Sequence, residues 1–262
     1  MLFLHNMIKV MFLGTGTSQG VPVVACNCKV CSSKDMFDNR LRSSVLVKSK
    51  KTSVVIDTGP DFRQQMLRAN ISKIDAVVFT HEHKDHVAGL DDIRAFNFKL
   101  KKSIDVYASK RVQEALIREF PYIFAKHKYP GVPSINLKTI NKSSSFKIGD
   151  LVFQPIEVLH YKLPVLGFRV NSFVYITDAN FIEDEEIVKI KGCKTLVLNA
   201  LRKEKHISHF TLREAISLSK RISPNKTFLT HISHLMGTHK SVSKELPPNI
   251  ELAYDNLEIE IN

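Results

Sequence analysis

The chain has 262 residues, 44% of them hydrophobic, so it can bury a substantial core without cross-links. Lysine and arginine number 38 against 26 aspartate and glutamate, and the formal net charge of +12 weakly favours anionic substrates without selecting one. The apolar runs are too short to cross a bilayer as helices, which excludes an integral helical membrane protein.

Short strand-like and helix-like segments alternate along the chain, with no repeat or linker between them. Runs of high β-propensity predict strands over Ile8 to Leu13, Ser44 to Val47, Ser53 to Ile56, Ala76 to Phe79, Leu151 to Leu159, Phe173 to Ile176, Thr195 to Leu198 and Thr227 to Leu229. Helical spacing predicts helices over Asp61 to Arg68, His86 to Asn97, Lys110 to Phe120, Asp184 to Ile190 and Thr211 to Arg221, the last with Thr211 and Glu214 in capping-box positions. This alternation predicts a single mixed α/β domain over residues 1–262.

The segment 121–145 lacks clear periodicity and contains the turn-forming residues Pro130, Gly131 and Pro133. Two interpretations stay open. The segment is either a loop or arm at the mouth of a site, or a plain connector.

Cysteine spacing bears on the cellular compartment. Three of the four cysteines, Cys26, Cys28 and Cys31, fall within six residues, which favours a metal over disulfides. The fourth, Cys193, adjoins an apolar run and is expected to be buried. The opening segment is interrupted by polar residues such as His5, and we expect no signal peptide. These features predict a soluble cytoplasmic protein with no membrane partner.

The densest cluster of candidate ligands directly follows the strand predicted to end at Phe79. The sequence Thr-His-Glu-His-Lys-Asp-His places three histidines and an aspartate at alternate and adjacent positions. In a tight loop, His81 and His83 can hold one metal ion while Asp85 and His86 reach a second. Imidazole and carboxylate ligands suit zinc, iron or manganese. A solvated turn with surface histidines is the alternative, and it explains this spacing poorly.

These residues match the HxHxDH signature of the metallo-β-lactamase superfamily at every position, and the chain resembles that family. The resemblance implies the fold of that family, a four-layer αββα sandwich of two mixed β-sheets flanked by helices. The resemblance implies His81, His83 and His160 on one metal, Asp85, His86 and His231 on the other, and Asp178 as a bridge between them. Asp57 matches the early aspartate that supports the metal loop, although an ordinary turn residue would also fit.

The three clustered cysteines are one ligand short of a closed tetrahedral zinc site. His234, three residues after His231 in Thr-His-Ile-Ser-His, is the predicted fourth ligand. The alternative is a set of reduced thiols without metal, which would be prone to oxidation. With Gly14-Thr15-Gly16-Thr17-Ser18, these motifs resemble the branch that contains the phosphonate-pathway phosphoribosyl cyclic phosphodiesterase, in which a Cys3His zinc is structural. The cysteine pattern also resembles the pyrroloquinoline-quinone biosynthesis member.

The resemblance implies a hydrolase with two divalent metal ions, zinc or manganese, in its active site and one structural zinc. We expect a metal-bridging hydroxide to attack small phosphodiesters, including cyclic ones, with Asp85 among the catalytic residues. His209 resembles the histidine of a His-Ser-Thr segment in the tRNA-processing nucleases, with Phe210 in place of the serine. It is the predicted proton donor, and His206 is the alternative. A helix-capping or core role for either histidine stays open.

Other functions remain as alternatives. The same centre could cleave a thioester or another carbonyl substrate, and a non-catalytic metabolite-binding member could share the fold. A tRNA-processing nuclease ranks lower because no long basic, glycine-rich arm is evident. We expect a small anionic phosphodiester as substrate. Nucleic acid is permitted by the charge but not favoured, a homodimer is compatible with the sequence, and His5 and His127 are expected at the surface.

Overall fold

The computed structural model describes residues 7–261, so His5 lies outside the described part. Within that range, the strands are β1 Ile8–Gly14, β2 Ser44–Lys48, β3 Ser53–Ile56, β4 Ala76–Val78, β5 Ile104–Ala108, β6 Ile135–Thr139, β7 Phe146–Ile148, β8 Leu151–His160, β9 Leu163–Val170, β10 Phe173–Ile176, β11 Thr195–Asn199, β12 Lys226–Thr230, β13 Ile250–Leu252 and β14 Glu258–Ile261. The α-helices are α1 Phe62–Arg68, α2 Lys84–Val87, α3 Arg94–Leu100, α4 Lys110–Glu119, α5 Pro121–Phe124, α6 Asp184–Ile190, α7 Leu212–Ile222 and α8 His239–Ser243.

The strands form two sheets of seven, in the orders β14-β1-β2-β3-β4-β5-β6 and β13-β12-β11-β10-β9-β8-β7. Each sheet is mixed. Strands β3 to β6 are parallel in the first sheet, and β10 to β13 are parallel in the second. The remaining neighbours in both sheets pair antiparallel. Parallel strands place their carboxyl ends at one edge of a sheet, which is where ligands commonly bind.

Most central strands bury both faces. In β3, Val54 and Ile56 pack into the core between the two sheets, while Val55 packs beneath the helices of the first sheet. In β10, Tyr175 faces the inter-sheet core and Val174 faces the helices of the second sheet. This alternation follows from the two-residue period of a strand. Helices α1 to α5 therefore cover one sheet and α6 to α8 the other, which confirms the predicted four-layer αββα fold.

The eight predicted strands are all present, and four of the five helices agree closely with their predicted bounds. The helix predicted from His86 to Asn97 is wrong as one unit. Helix α2 ends at Val87, a 3-10 turn covers Leu90–Ile93, and α3 begins at Arg94. The break occurs at Gly89, where a side-chain Cβ would lie 2.2 Å from the carbonyl oxygen of Gly59. Because the backbones of Gly89 and Gly59 approach so closely, the chain does not continue as one helix, although the sequence has helical periodicity.

The segment 121–145 contains regular secondary structure, which neither interpretation of the sequence predicted. It contains the short helix α5 and the edge strand β6, which pairs with β5 in parallel. His127 is exposed and Cys193 is buried, as predicted. No helix among residues 7–261 is long and apolar enough to cross a membrane.

Candidate active site

The site lies where five strands end at the same edge of the two sheets. Asp57 directly follows β3, Asp178 follows two residues after Ile176 of β10, and His231 directly follows β12. These three residues have positive φ angles of 64°, 56° and 57° respectively. A left-handed backbone is uncommon outside glycine and often marks functional positions. The other contributors are the loop after β4, with His81 to His86, and His160 at the end of β8.

The predicted ligands come together in two adjoining groups. Within each group, one candidate ligand atom per residue lies within 4.8 Å of the others; the groups are His81, His83 and His160, and Asp85, His86, Asp178 and His231. His81 Nε2 and His83 Nδ1 are 3.1 Å apart. Asp178 Oδ2 lies 3.3 Å from His86 Nε2 and 3.2 Å from His231 Nδ1. The structure therefore brings together all seven residues chosen from the sequence.

Asp57 fixes the metal loop from behind. Its carboxylate accepts hydrogen bonds from the Thr80 backbone N–H at 2.8 Å and from the Thr80 hydroxyl at 2.8 Å. Its Oδ2 also lies 2.7 Å from His86 Nδ1. An Nδ1–H directed at this carboxylate leaves the opposite nitrogen, Nε2, free to bind a cation. That nitrogen is buried and makes no hydrogen bond among the described residues.

Charge in this cluster favours a cation. Burial alone would lower the pKa of His86, but the carboxylates of Asp85, Asp178 and Asp57 raise it well above its usual value. Burial, followed by the charge of His86, lowers the pKa of His81 well below its usual value. A neutral imidazole and an ionised carboxylate are the forms that bind divalent metals. A divalent ion would take the place of the proton that these carboxylates favour on His86, whose Nε2 lies 3.2 Å from Asp85 Oδ2 and 3.3 Å from Asp178 Oδ2, and the donor set thus fits such an ion.

His209 joins this cluster. Its ring centroid is 4.6 Å from that of His160 and 4.8 Å from that of His231, and its Nδ1 lies 3.9 Å from Asp178 Oδ1. His209 Nδ1 is buried and lacks a hydrogen-bond partner among the described residues. Burial lowers the pKa of His209 to about 3. His206 is more exposed and lies behind it, with the two ring centroids 5.2 Å apart. His209 is therefore the better placed of the two candidates.

A cleft of about 530 Å³ opens beside the first ligand group. His83 and His160 form its inner part, and its wall includes Arg111, Tyr161, Lys162, Leu163, Ile207 and Ser208. Arg111 Nε donates to Glu82 Oε1 at 2.6 Å, and Glu82 lies inside the HxHxDH motif. The sequence analysis missed the cleft residues because they come from a helix, a hairpin turn and a loop far apart in the chain. The one signal available in the sequence was that Glu82 and Tyr161 directly adjoin predicted metal ligands.

The cysteine cluster forms a separate site. His234 Nδ1 lies 3.3 Å from Cys26 Sγ, 3.4 Å from Cys28 Sγ and 3.5 Å from Cys31 Sγ. Bond lengths of about 2.3 Å to sulfur and 2.0–2.1 Å to nitrogen place such atoms roughly 3.5 Å apart around a tetrahedral zinc ion. The backbone N–H of Cys31 and the imidazole of His234 lower the pKa of Cys28 to about 6. Donor types and spacing both fit zinc.

Comparison with known proteins agrees with this geometry. A family model described as a beta-lactamase superfamily domain matches residues 52–232. The fold and the paired ligand groups define the metallo-β-lactamase class of metal-dependent hydrolases, and the chain belongs to this superfamily. Within it, the chain is 36% identical to a crystal structure described as a new diphosphatase from the PhnP family, over 97% of both chains and with a TM-score of 0.91. It falls in this PhnP-like branch.

Other relatives are more distant or longer. An octanoyltransferase from Porphyromonas gingivalis is 39% identical over 253 residues, covering 96% of this chain and 51% of that protein. A ribonuclease Z from Prochlorococcus marinus is 27% identical over 175 residues, covering 63% of this chain and 50% of that protein. The chain thus spans about half the length of these curated relatives. Zinc-bound PqqB from Methylobacterium extorquens, at 17% identity over 97% of this chain and all of that one with a TM-score of 0.78, shares the fold.

Proposed function

We propose that the chain is a metal-dependent phosphodiesterase that acts on small phosphodiesters, including cyclic ones. The observation that carries the proposal is the position of His209. It is buried against both ligand groups, with an unpaired ring nitrogen 3.9 Å from Asp178. Hydrolysis of a phosphodiester produces an alkoxide that needs a proton, and a positioned histidine commonly supplies it.

Two divalent ions, held by the seven ligands named above, would lower the pKa of a water and offset the negative charge of the phosphate. The chain's own residues supply the remaining functions. Asp178 and Asp85 fix the positions of His231 and His86 around the reacting phosphate. His209 takes up the proton that the attacking water loses and passes it to the leaving oxygen. The oxygen of the attacking water thus forms a bond to phosphorus as the ester bond breaks, and the leaving alkoxide receives the proton that the water lost.

The cleft supports a small anionic substrate. Its volume of about 530 Å³ lies within the range of roughly 300–1,000 Å³ typical of small-molecule sites. Arg111 and Lys162 place two cations along its wall. A folded RNA would require a much larger basic surface. The size and charge of the cleft therefore favour a small molecule over a tRNA as the substrate. The identity of the native metal, the formation of a homodimer and a cytoplasmic location stay predictions.

The test is hydrolysis of bis(p-nitrophenyl) phosphate by metal-loaded wild-type protein and by Asp85→Ala. The matched control is Asp184→Ala, whose side chain is 85% exposed at the start of α6. We expect turnover by the wild type and the control and its loss in Asp85→Ala. An octanoyl thioester and a β-lactam, assayed on the same protein, test the carbonyl alternative. Thioester or lactam turnover without diester turnover would overturn the proposal, and no turnover with both metals bound would favour a non-catalytic member.

A diphosphate substrate is the second candidate, favoured by the 36% identity to the PhnP-family diphosphatase. The leaving group then is a phosphate, which is far less basic than an alkoxide and depends less on a proton donor. His209→Ala separates the two candidates. We expect it to slow alkyl diester hydrolysis by roughly a hundredfold or more and diphosphate hydrolysis much less. Equal losses on both substrates would instead assign His209 to binding.

A further inference from the structure

The turn that follows His160 has an unusual composition. Tyr161 and Lys162 connect β8 to β9 as a two-residue hairpin, since His160 pairs with Leu163. Tyr161 has a φ of 58°. Two-residue hairpin loops favour asparagine and glycine in this left-handed conformation, and a bulky aromatic residue there is a conformational outlier. An aromatic side chain kept at some conformational cost, next to a candidate metal ligand, indicates a functional role.

The turn is attached to the strand end that carries Asp178. The Tyr161 backbone N–H donates to Asn180 Oδ1 at 2.6 Å. The Asn180 backbone N–H in turn donates to the Leu159 carbonyl at 2.8 Å. Because Asn180 is two residues from Asp178, the Tyr161 backbone is fixed relative to the ligand groups. The Tyr161 side chain therefore projects from a rigid support and not from a mobile loop.

The surroundings of Tyr161 combine apolar surface with positive charge. Tyr161 is 49% exposed and Ile207, on the same cleft wall, is 65% exposed. The Lys162 ammonium lies 5.4 Å from the centroid of the Tyr161 ring, a cation–π contact that places a positive charge beside it. Arg111 adds a guanidinium to this wall, where its Nε donates to Glu82 and its other N–H groups are left to contact a ligand. A planar, anionic molecule matches an exposed aromatic face flanked by cations.

We propose that Tyr161 is a specificity residue that stacks on a heteroaromatic ring of the substrate. The enzyme would then prefer nucleotide-type phosphodiesters to phosphodiesters that lack a heteroaromatic base. Lys162 and Arg111 pair with the substrate's anionic groups outside the reacting centre. The inference rests on the proposed phosphodiesterase function and narrows its substrate class. It does not depend on which metal is bound.

Binding tests this without turnover. Calorimetric titrations of metal-loaded protein with adenosine 5′-monophosphate and with ribose 5-phosphate compare two ligands that differ only in the base. We expect the nucleotide to bind about tenfold more tightly. Tyr161→Ala should remove this difference and Tyr161→Phe should retain it. Tyr129→Ala, which removes a tyrosine 81% exposed elsewhere, is the matched control and should leave the ratio unchanged.

Kinetics provide the second arm. With a 2′,3′-cyclic nucleotide we expect Tyr161→Ala to raise KM about tenfold and to leave kcat within about twofold. Hydrolysis of ethylene phosphate, a cyclic diester without an aromatic ring, should stay unchanged. Arg111→Ala should raise KM for the nucleotide, and Arg118→Ala, seven residues further along α4, should not.

The outcomes separate the two proposals. If the wild type cleaves neither cyclic diester, the phosphodiesterase function fails. If it cleaves both equally well, and Tyr161→Ala alters neither KM nor the binding ratio, only the stacking role fails. If Tyr161→Phe is as impaired as Tyr161→Ala, the hydroxyl and not the ring face matters, which also overturns stacking.

Discussion

The two candidate metal sites share one short segment of sequence after β12, in which His231 belongs to one site and His234 to the other. They are built in different ways. The seven-ligand cluster is supplied by four strand ends, with Asp57 behind it at a fifth. His81, His86, Asp178 and His231 are almost fully buried. The cysteine site combines a loop without regular strands, which carries the three cysteines, with His234 from the segment after β12. Its four side chains are all partly exposed.

This difference indicates which element organises each site. In the strand-end cluster the protein positions the ligands before any metal arrives, because Asp57 and the buried strands hold them. In the cysteine loop the metal must supply much of the order, because few backbone hydrogen bonds tie residues 22–31 together. Losing a ligand from the first site should therefore affect chemistry, whereas losing one from the second should affect stability.

The largest effect is expected for Asp178→Asn. Asparagine tolerates the left-handed backbone, with φ 56° in the wild type, but removes the charge shared with His86 and His231. We expect diester turnover to fall by roughly a thousandfold or more with little change in thermal stability. Steady-state assays and a melting curve measure both, with Asp184→Asn as the control. A large loss of stability at unchanged turnover would reverse the comparison between the two sites.

Support from behind the cluster is tested by Asp57→Asn. The amide keeps the positive φ but cannot replace the carboxylate that faces His86 Nδ1 at 2.7 Å. Loss of such a partner typically costs 10- to 100-fold in metal affinity or activity, and we expect a reduction in this range. Competition with a chelator measures it. Asp150→Asn, at a carboxylate that accepts from Ser49 and Thr52, is the control. Unchanged metal affinity in Asp57→Asn would leave Asp57 an ordinary turn residue.

The parts of the fold that were predictable from sequence are those with a local signal. Strands such as β3 and β10 are apolar on both faces, and the HxHxDH ligands lie within six residues, so one window of sequence contains them. His160, Asp178 and His231 needed the resemblance as well, because an isolated histidine or aspartate after a strand is common. The left-handed backbone of Asp178 and His231 became visible only in the structure.

Several of the elements that were missed depend on distant contacts, although β7 and β9 pair locally with β8. The edge strand β6 has the burial pattern of a half-exposed strand, and its pairing with β5 defines it more than its composition does. Strand β14 pairs with β1, at the opposite end of the chain. The break at Gly89 arises from its contact with Gly59. The cleft wall likewise joins Arg111 to Tyr161, and no sequence period relates these positions.

A moderate effect is expected when the cysteine site loses a ligand. Cys28→Ser should lower the zinc content by one ion per chain and lower Tm by roughly 5–10 °C, from a loss of about 2–4 kcal/mol. The metal content of the strand-end cluster should stay the same. Elemental analysis and a thermal melt measure these quantities, with Ser32→Ala in the same loop as the control. Loss of metal from both sites would show that the link from His231 to His234 couples them.

The smallest effect is expected at the start of α7, just after His209. Thr211 and Glu214 form a capping box, in which the Thr211 hydroxyl accepts from the Glu214 backbone N–H at 3.2 Å and Glu214 Oε2 accepts from the Thr211 N–H at 2.8 Å. Thr211→Ala should cost about 1 kcal/mol, or roughly 2–4 °C in Tm, and Thr211→Ser should restore most of it. If strand ends alone position the active site, diester turnover at 25 °C should stay within about twofold of the wild type. A tenfold fall in turnover in Thr211→Ala, reversed in Thr211→Ser, would show instead that the helix cap positions His209, and the active site would then depend on a helix start as well as on its strands.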